Sequence, residues 1–163
     1  MALLTSFTKD RRGSAGAEMA LMLPLMLAVI FATFEAGHYF YTEQKIIKSV
    51  RQGARYAGRL PFANYTCPAA IDAAAASQVK TVTRTGSLTG TTPLIKDWAQ
   101  DDITVTVACN SATTTGVFKS NVGGAPVVTV SATAPYTSLF AQLLTSSSAT
   151  QVRASAQATV NGI

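Results

Sequence analysis

The sequence predicts an α+β protein in which one long amino-terminal helix, containing a membrane span, packs on a small antiparallel sheet of about three strands. Two observations favour this fold. Residues 1–59 hold 12 of the 21 charged side chains, together with a helical apolar pattern. Residues 60–163 hold the other nine, and 46 of these 104 residues are Ala, Ser or Thr. The composition therefore changes near Leu60 and divides the chain into two unlike parts.

The amino-terminal part contains an uncharged run of 16 residues, Met19 to Phe34, between Glu18 and Glu35. As a helix this run covers about 24 Å, and the residues that follow extend it toward a hydrocarbon core of roughly 30 Å. We expect a membrane span over about residues 19–41, ending among aromatic side chains that favour the headgroup level. The basic cluster at residues 9–12 places the amino terminus in the cytoplasm. The alternative is a buried core helix.

The helical pattern continues beyond the apolar run. One face carries only apolar residues and the opposite face only cations: Ile46, Ile47, Val50, Ala54 and Ala57 against Lys45, Lys48, Arg51, Arg55 and Arg59. Gly58 followed by Pro61 is a stop signal, so one helix is expected from about Ser14 to Gly58. Within it, Pro24 removes one backbone hydrogen bond, which predicts a kink or a loosened turn.

The second part, residues 60–163, is expected to be an exported α+β domain. Alternating apolar residues predict strands at Ile103–Val107, Val127–Ala134 and near Gln151–Val160. A helix is expected to start at Thr66-Cys67-Pro68 and to continue to about Val79. Residues 81–100 are expected to be largely irregular, and residues 136–144 are expected to form a short helical or irregular connection.

The few potential ligands exclude several classes of function. One histidine and two cysteines leave no dedicated metal site, and no cofactor or catalytic residue is expected. A net charge of +5 is too scattered for a nucleic-acid surface. In an oxidising compartment, Cys67 and Cys109 would form a disulfide, closing a loop that stabilises by up to roughly 4 kcal/mol. Two free thiols or a shared metal ion are the alternatives.

The string Arg12-Gly13-Ser14-Ala15-Gly16-Ala17-Glu18, directly before an apolar helix, resembles a prepilin processing site of the type IV pilin superfamily. Over residues 11–58 the wider pattern resembles the TadE-like proteins of the tight-adherence (Tad) pilus system. The motifs that carry this resemblance are Glu18-Met19-Ala20-Leu21, Leu23-Pro24-Leu25, Glu35-Ala36-Gly37, Tyr41 and Gly53-Ala54-Arg55-Tyr56-Ala57. The resemblance implies cleavage after Gly13 by a prepilin peptidase, with residues 1–13 as a leader.

The resemblance further implies a minor pilin or pseudopilin. The major pilins carry an aromatic residue directly after the glutamate, where this chain has Met19, and the expected mature chain is much longer than theirs. The implied partners are other pilins and the Tad assembly platform in the bacterial inner membrane. Residues 60–163 would lie in the periplasm, or outside the cell once the pilus is assembled.

Three residues are candidates for subunit assembly. Cleavage creates an α-ammonium at Ser14, which Glu18 of an adjacent subunit would neutralise inside the membrane. Pro24 shapes the span. Glu35 would pair with the basic face of a neighbouring helix; Glu43 could do the same, but an ordinary interfacial charge in contact with water is the favoured interpretation for Glu43.

Two other classes of function compete with a pilus component. An uncleaved, membrane-anchored binding module of the envelope would keep Met1, whereas a processed pilin would begin at Ser14. A membrane-bound hydrolase would need His38, the single imidazole, as its base. Its expected position at the membrane edge disfavours that role.

Overall fold

The computed structural model describes residues 14–119, 123–140 and 150–162, so the expected leader at 1–13 and Gly13 lie outside the described residues. Helix α1 spans Ser14–Arg59 and is followed by the short strands β1 (Tyr65–Thr66) and β2 (Ala70–Ile71) and by helix α2 (Ala73–Thr85). The remaining elements are the strands β3 (Ile103–Asn110), β4 (Ala125–Pro135) and β5 (Gln151–Thr159). The fold is α+β, as the sequence predicts.

Helix α1 is one continuous helix of 46 residues, which corresponds to about 69 Å. Pro24 lies inside it and does not end it. At the far end the backbone N–H of Leu60 donates to the carbonyl of Ala57 at 3.1 Å, and Pro61 follows. The predicted end of the helix is therefore confirmed to within one residue, and the helix already includes Ser14, the first described residue.

The outer half of α1, residues 42–59, packs its apolar face on the sheet. Ile46, Val50 and Ala57 are fully buried and Ala54 almost so, while Ile47 is half-buried. The cations Lys48, Arg51, Arg55 and Arg59 on the other face are exposed. The helical register predicted from the sequence is thus confirmed, with Ile47 at the margin of the contact.

The sheet has three antiparallel strands in the order β3-β4-β5. In its register Val105 lies opposite Val130, and Val130 lies opposite Ala156. The inner face alternates with the outer one along each strand, as period-2 patterning requires. Its core side chains are mostly small: Ile103, Val107, Val128, Val130, Ala132, Ala134 and Val152 are buried, and Ala154, Ala156 and Ala158 are half-buried.

The predicted helix start at Thr66-Cys67-Pro68 is wrong. Thr66 ends strand β1, and Cys67 and Pro68 lie in the turn of a two-stranded antiparallel hairpin in which Tyr65 pairs with Ile71. Helix α2 starts later, at Ala73, because the Asp72 side chain accepts hydrogen bonds from the backbone N–H groups of Ala74 and Ala75 at 2.9 and 3.1 Å. An aspartate cap satisfies two of the N–H groups that a helix leaves unpaired, whereas the Thr–Cys–Pro signal is also compatible with a turn.

Cys67 and Cys109 form a disulfide, as expected from the sequence. It ties the β1–β2 turn to the end of β3, where the backbone N–H of Cys109 also donates to the carbonyl of Pro68 at 3.2 Å. The bridge therefore holds the hairpin on the sheet.

The segment between α2 and β3 is mostly irregular, as predicted for 81–100, except that α2 extends to Thr85. It nevertheless contributes to the core through Ile95 and Trp98, both buried. The indole N–H of Trp98 donates to the carbonyl of Thr133 at 2.9 Å, so the one polar group of the largest core side chain has a hydrogen-bond partner on the central strand β4.

Two glycines let α1 approach its neighbours closely. A methyl group at Gly53 would overlap the side chain of Thr83 on α2, and one at Gly58 would press on the carbonyl of Thr159 on β5. Thr83 is fully buried, and its hydroxyl donates to the Val79 carbonyl at 2.7 Å.

We expect Gly53→Ala to lower the free energy of unfolding by about 1–3 kcal/mol, because overpacking outweighs the better helix propensity of alanine. Gly37→Ala is the matched control: it lies in the same helix, and an added methyl group there meets open space. Unfolding of the full chain in detergent, followed by circular dichroism, measures both changes. Equal stability of the two variants would contradict the close contact.

We expect reduction of the Cys67–Cys109 disulfide to lower the melting temperature of the domain that contains the sheet. The loss in the chain-entropy account is up to roughly 4 kcal/mol. Melting with and without dithiothreitol measures it, and the variant that carries serine at both positions should not respond to the reductant. Two titratable thiols in freshly isolated, unreduced protein would contradict the bridge.

Candidate functional site

The inner half of α1 exposes its apolar side chains on all sides. Every residue from Ala15 to Ile30 is exposed, and Leu21 reaches 79%. This helix is long and apolar enough to cross a membrane, judged by length and composition. Apolar surface of this extent is normally covered, either by lipid or by neighbouring helices. The candidate functional site is therefore a surface along α1 that other molecules must cover.

The predicted assembly residues lie along this exposed half. Ser14 is the first residue of α1, and Glu18 follows one turn later with its side chain exposed among Ala15, Met19 and Met22. A carboxylate in the first turns of a helix also interacts favourably with the helix dipole. The structure brings Glu18 to the start of the apolar run, and its role between subunits stays a prediction.

Glu35 lies at the other end of the apolar run, where it binds the chain itself. Its Oε1 accepts a hydrogen bond from the Tyr136 hydroxyl at 2.6 Å. Its Oε2 accepts the backbone N–H of Leu139 at 3.0 Å and that of Phe140 at 3.3 Å. This carboxylate therefore holds residues 136–140, which follow β4, against α1. The predicted pairing of Glu35 with a neighbouring subunit stays a prediction.

Aromatic rings surround the Glu35 contact. The ring of Phe140 lies on that of Phe31, with centroids 4.9 Å apart, and the ring of Tyr136 packs edge-on against Tyr39 at 5.2 Å. Nδ1 of His38 lies 3.3 Å from the Tyr136 hydroxyl. Burial and then the hydrogen bond to Glu35 raise the pKa of Tyr136, so its hydroxyl stays protonated and remains a donor. His38 thus belongs to this contact between the loop and the helix.

Beyond its apolar run, α1 presents a basic face. Lys48, Arg51, Arg55 and Arg59 follow one another at helical spacing and are all exposed. Within the described residues none of these four cations is paired with a carboxylate. A face of this kind can receive acidic side chains from a neighbouring protein.

The outer face of the sheet, away from α1, is polar and nearly uncharged. Its side chains come from alternate positions of the three strands: Thr104, Thr106, Thr129, Ser131, Thr133, Arg153, Ser155, Gln157 and Thr159. In the parts of the chain that the structure describes, no three His, Cys, Asp or Glu side chains are grouped to hold a metal ion.

Sequence reasoning missed the contact between Glu35 and residues 136–140. The available signals were weak, since Tyr136 and Leu139-Phe140 were apolar residues in an expected connection. Residues 35 and 139 are also 104 positions apart, so no local pattern links them.

The family model described as TadE-like protein matches residues 13–55, about a quarter of the chain. The matched segment begins at the expected processing site and includes Glu18, Pro24 and Glu35. No curated protein and no solved structure matches the chain. The match confirms that the amino-terminal segment is similar to the TadE-like proteins of the Tad pilus system.

Proposed function

We propose that this protein is a non-enzymatic minor pilin or pseudopilin that acts in the assembly of a Tad-type pilus, or as a component of it, for adhesion to surfaces. The observation that carries the proposal is the design of α1. Its inner half is an exposed apolar helix with a carboxylate at its start, and its outer half is the core helix of a folded domain. The similarity of residues 13–55 to the TadE-like proteins gives this design its pilus context.

The proposed location is the bacterial inner membrane, crossed once by α1, with the amino terminus in the cytoplasm. Two features support this orientation. The basic cluster at residues 9–12 precedes the apolar run, and such clusters stay on the cytoplasmic side. The Cys67–Cys109 disulfide lies in the domain beyond the run, and disulfides persist in oxidising compartments such as the periplasm.

The proposed processing step is cleavage after Gly13 by a prepilin peptidase. It removes Lys9, Arg11 and Arg12, which otherwise hold the amino terminus at the cytoplasmic surface, and it leaves an α-ammonium on Ser14. When α1 packs among other pilin helices, that cation loses contact with water and requires an anion nearby. The Glu18 carboxylate of an adjacent subunit, one turn from its own Ser14, is the group in the apolar run that meets this need.

Contacts outside the membrane are proposed to use the basic face. Subunits that stand side by side with parallel helices place Lys48, Arg51, Arg55 and Arg59 at the height of a neighbour's exported domain. Acidic side chains of other pilins or of the assembly platform would be attracted there, which aids encounter and register.

The amino terminus of the mature protein tests the proposal. We expect mass spectrometry of protein isolated from its native membrane to give Ser14 as the first residue. Gly13→Leu should block cleavage, because the peptidase accepts only a small residue before the scissile bond, and should leave the leader attached. Gly16→Leu is the control, since it places the same side chain three residues beyond the bond. An intact amino terminus at Met1 in the unmodified protein would favour the uncleaved envelope binding module instead.

The role of Glu18 is tested by Glu18→Gln, which keeps the size of the side chain and removes its charge. We expect this variant to be cleaved normally and to be largely lost from sheared pili and from surface-attached cells. Removing one partner of a buried ion pair generally costs about 3–5 kcal/mol. Glu43→Gln makes the same change of charge in the same helix, outside the apolar run, and should assemble normally. Full recovery of Glu18→Gln in pili would contradict the pairing with the new amine.

A further inference from the structure

Residues 136–140 lie against α1 at the end of its apolar run. The Phe140 ring packs on Phe31, which belongs to the uncharged run, and the backbone N–H groups of Leu139 and Phe140 donate to Glu35, one turn further along. One helical turn advances about 5.4 Å along the axis. The contacts therefore fix the height of this loop relative to the helix to within a few ångströms.

We propose that Leu139 and Phe140 form a second membrane contact, inserted into the acyl chains of the leaflet that faces the exported domain. The inference rests on the proposed function in one respect, namely that α1 crosses the bilayer. Phe31 then lies within the hydrocarbon, and a ring 4.9 Å from it shares its depth. The Phe140 ring, which packs on Phe31, carries the apolar surface of the helix onto the loop, and Leu139 beside it is 54% exposed.

The polar groups of the loop are arranged for a place with little water. A backbone N–H without a partner is costly in lipid, and so is an isolated carboxylate. Here both costs are avoided, because the Glu35 carboxylate accepts hydrogen bonds from both N–H groups and from the Tyr136 hydroxyl. A loop in water would have solvent for all of these groups. The hydrogen bonding between the loop and Glu35 therefore suits a position at the boundary between headgroups and hydrocarbon.

Rings that favour this boundary complete the contact. Tyr39 and Tyr136 pack edge-on, Phe40 and Tyr41 are exposed on the same turn of α1, and Phe140 lies deeper against Phe31. Tyrosines at headgroup level with phenylalanine beneath them match the aromatic belts of membrane proteins. The occupant at this height is lipid, because the surface is continuous with the one that spans the bilayer.

Tryptophan fluorescence in vesicles with brominated acyl chains tests the proposal, since bromine quenches an indole that lies within the hydrocarbon. The full chain is reconstituted in phosphatidylcholine and phosphatidylglycerol vesicles. Three variants each add one indole: Leu139→Trp in the loop, Met26→Trp in the span and Val117→Trp at the distal end. Val117 is 63% exposed, and Phe118 beside it packs on Phe62, past the far end of α1. The unmodified protein gives the signal of Trp98 for subtraction.

We expect the indole at position 139 to lose emission to the same order as the one at position 26, while the one at position 117 keeps its emission. Quenching at 26 with none at 139 would overturn the loop insertion and leave the membrane anchor standing. No quenching at 26 would overturn the anchor and the insertion together, whatever the state of the amino terminus. If the emission at position 139 is not quenched by bromine but changes with the protein-to-lipid ratio, a neighbouring subunit covers the loop, and this result would also overturn the proposal.

Removal of the Glu35 side chain tests what holds the loop at this depth. Glu35→Ala in the Leu139→Trp protein should reduce the quenching at position 139, because the loop loses its hydrogen bonds to the carboxylate. Glu43→Ala, which removes a carboxylate elsewhere on α1, should leave the quenching unchanged. Equal quenching in both variants would contradict a positioning role of Glu35.

Discussion

The structure depends on the continuity of helix α1, because this one hydrogen-bonded rod is an exposed apolar helix in its inner half and the core helix of a folded domain in its outer half. Within the helix each backbone N–H pairs with the carbonyl four residues earlier, except at Pro24, which has no N–H to donate, so apart from that position the rod needs outside partners only at its ends. Only a helix or a closed barrel can cross lipid in this way. The same rod then enters a domain where Ile46 and Val50 are fully buried. If the helix were broken between its halves, the position of the folded domain would no longer be fixed relative to the proposed membrane level of the inner half.

Small side chains allow the outer half of α1 to share a core with so modest a sheet. The inner face of β5 is largely alanine, at positions 154, 156 and 158, and the helix presents Ala54, Ala57 and Gly58 toward the domain. Close approach raises packing density but leaves little apolar area to bury. Trp98, which contributes the largest fully buried side chain, and the Cys67–Cys109 bridge offset this shortage.

The elements with strong periodicity could be predicted from the sequence, and the contacts between distant segments could not. The two faces of residues 46–59 set the register of α1, and strict alternation located β3, β4 and β5. The β1–β2 hairpin has two residues in each strand, too few for any period, so a proline signal was misassigned to a helix start. Glu35 illustrates the other limit. Its charge at the end of an apolar run was visible, but its partners on residues 136–140 are fixed only by the folding of the sheet.

The charges along α1 fall into groups that respond differently to their surroundings. Glu35 is hydrogen-bonded within its own chain, and Glu18, at the other end of the apolar run, is the carboxylate proposed to meet a neighbouring amine. A pair inside lipid is hardly screened by salt, whereas charges in water lose their attraction beyond about 10 Å at 0.1 M salt. The exposed cations from Lys48 to Arg59 belong to the second kind. If Glu18 pairs with the new ammonium of a neighbouring subunit as proposed, salt should weaken the contacts of the basic face and leave that pair intact.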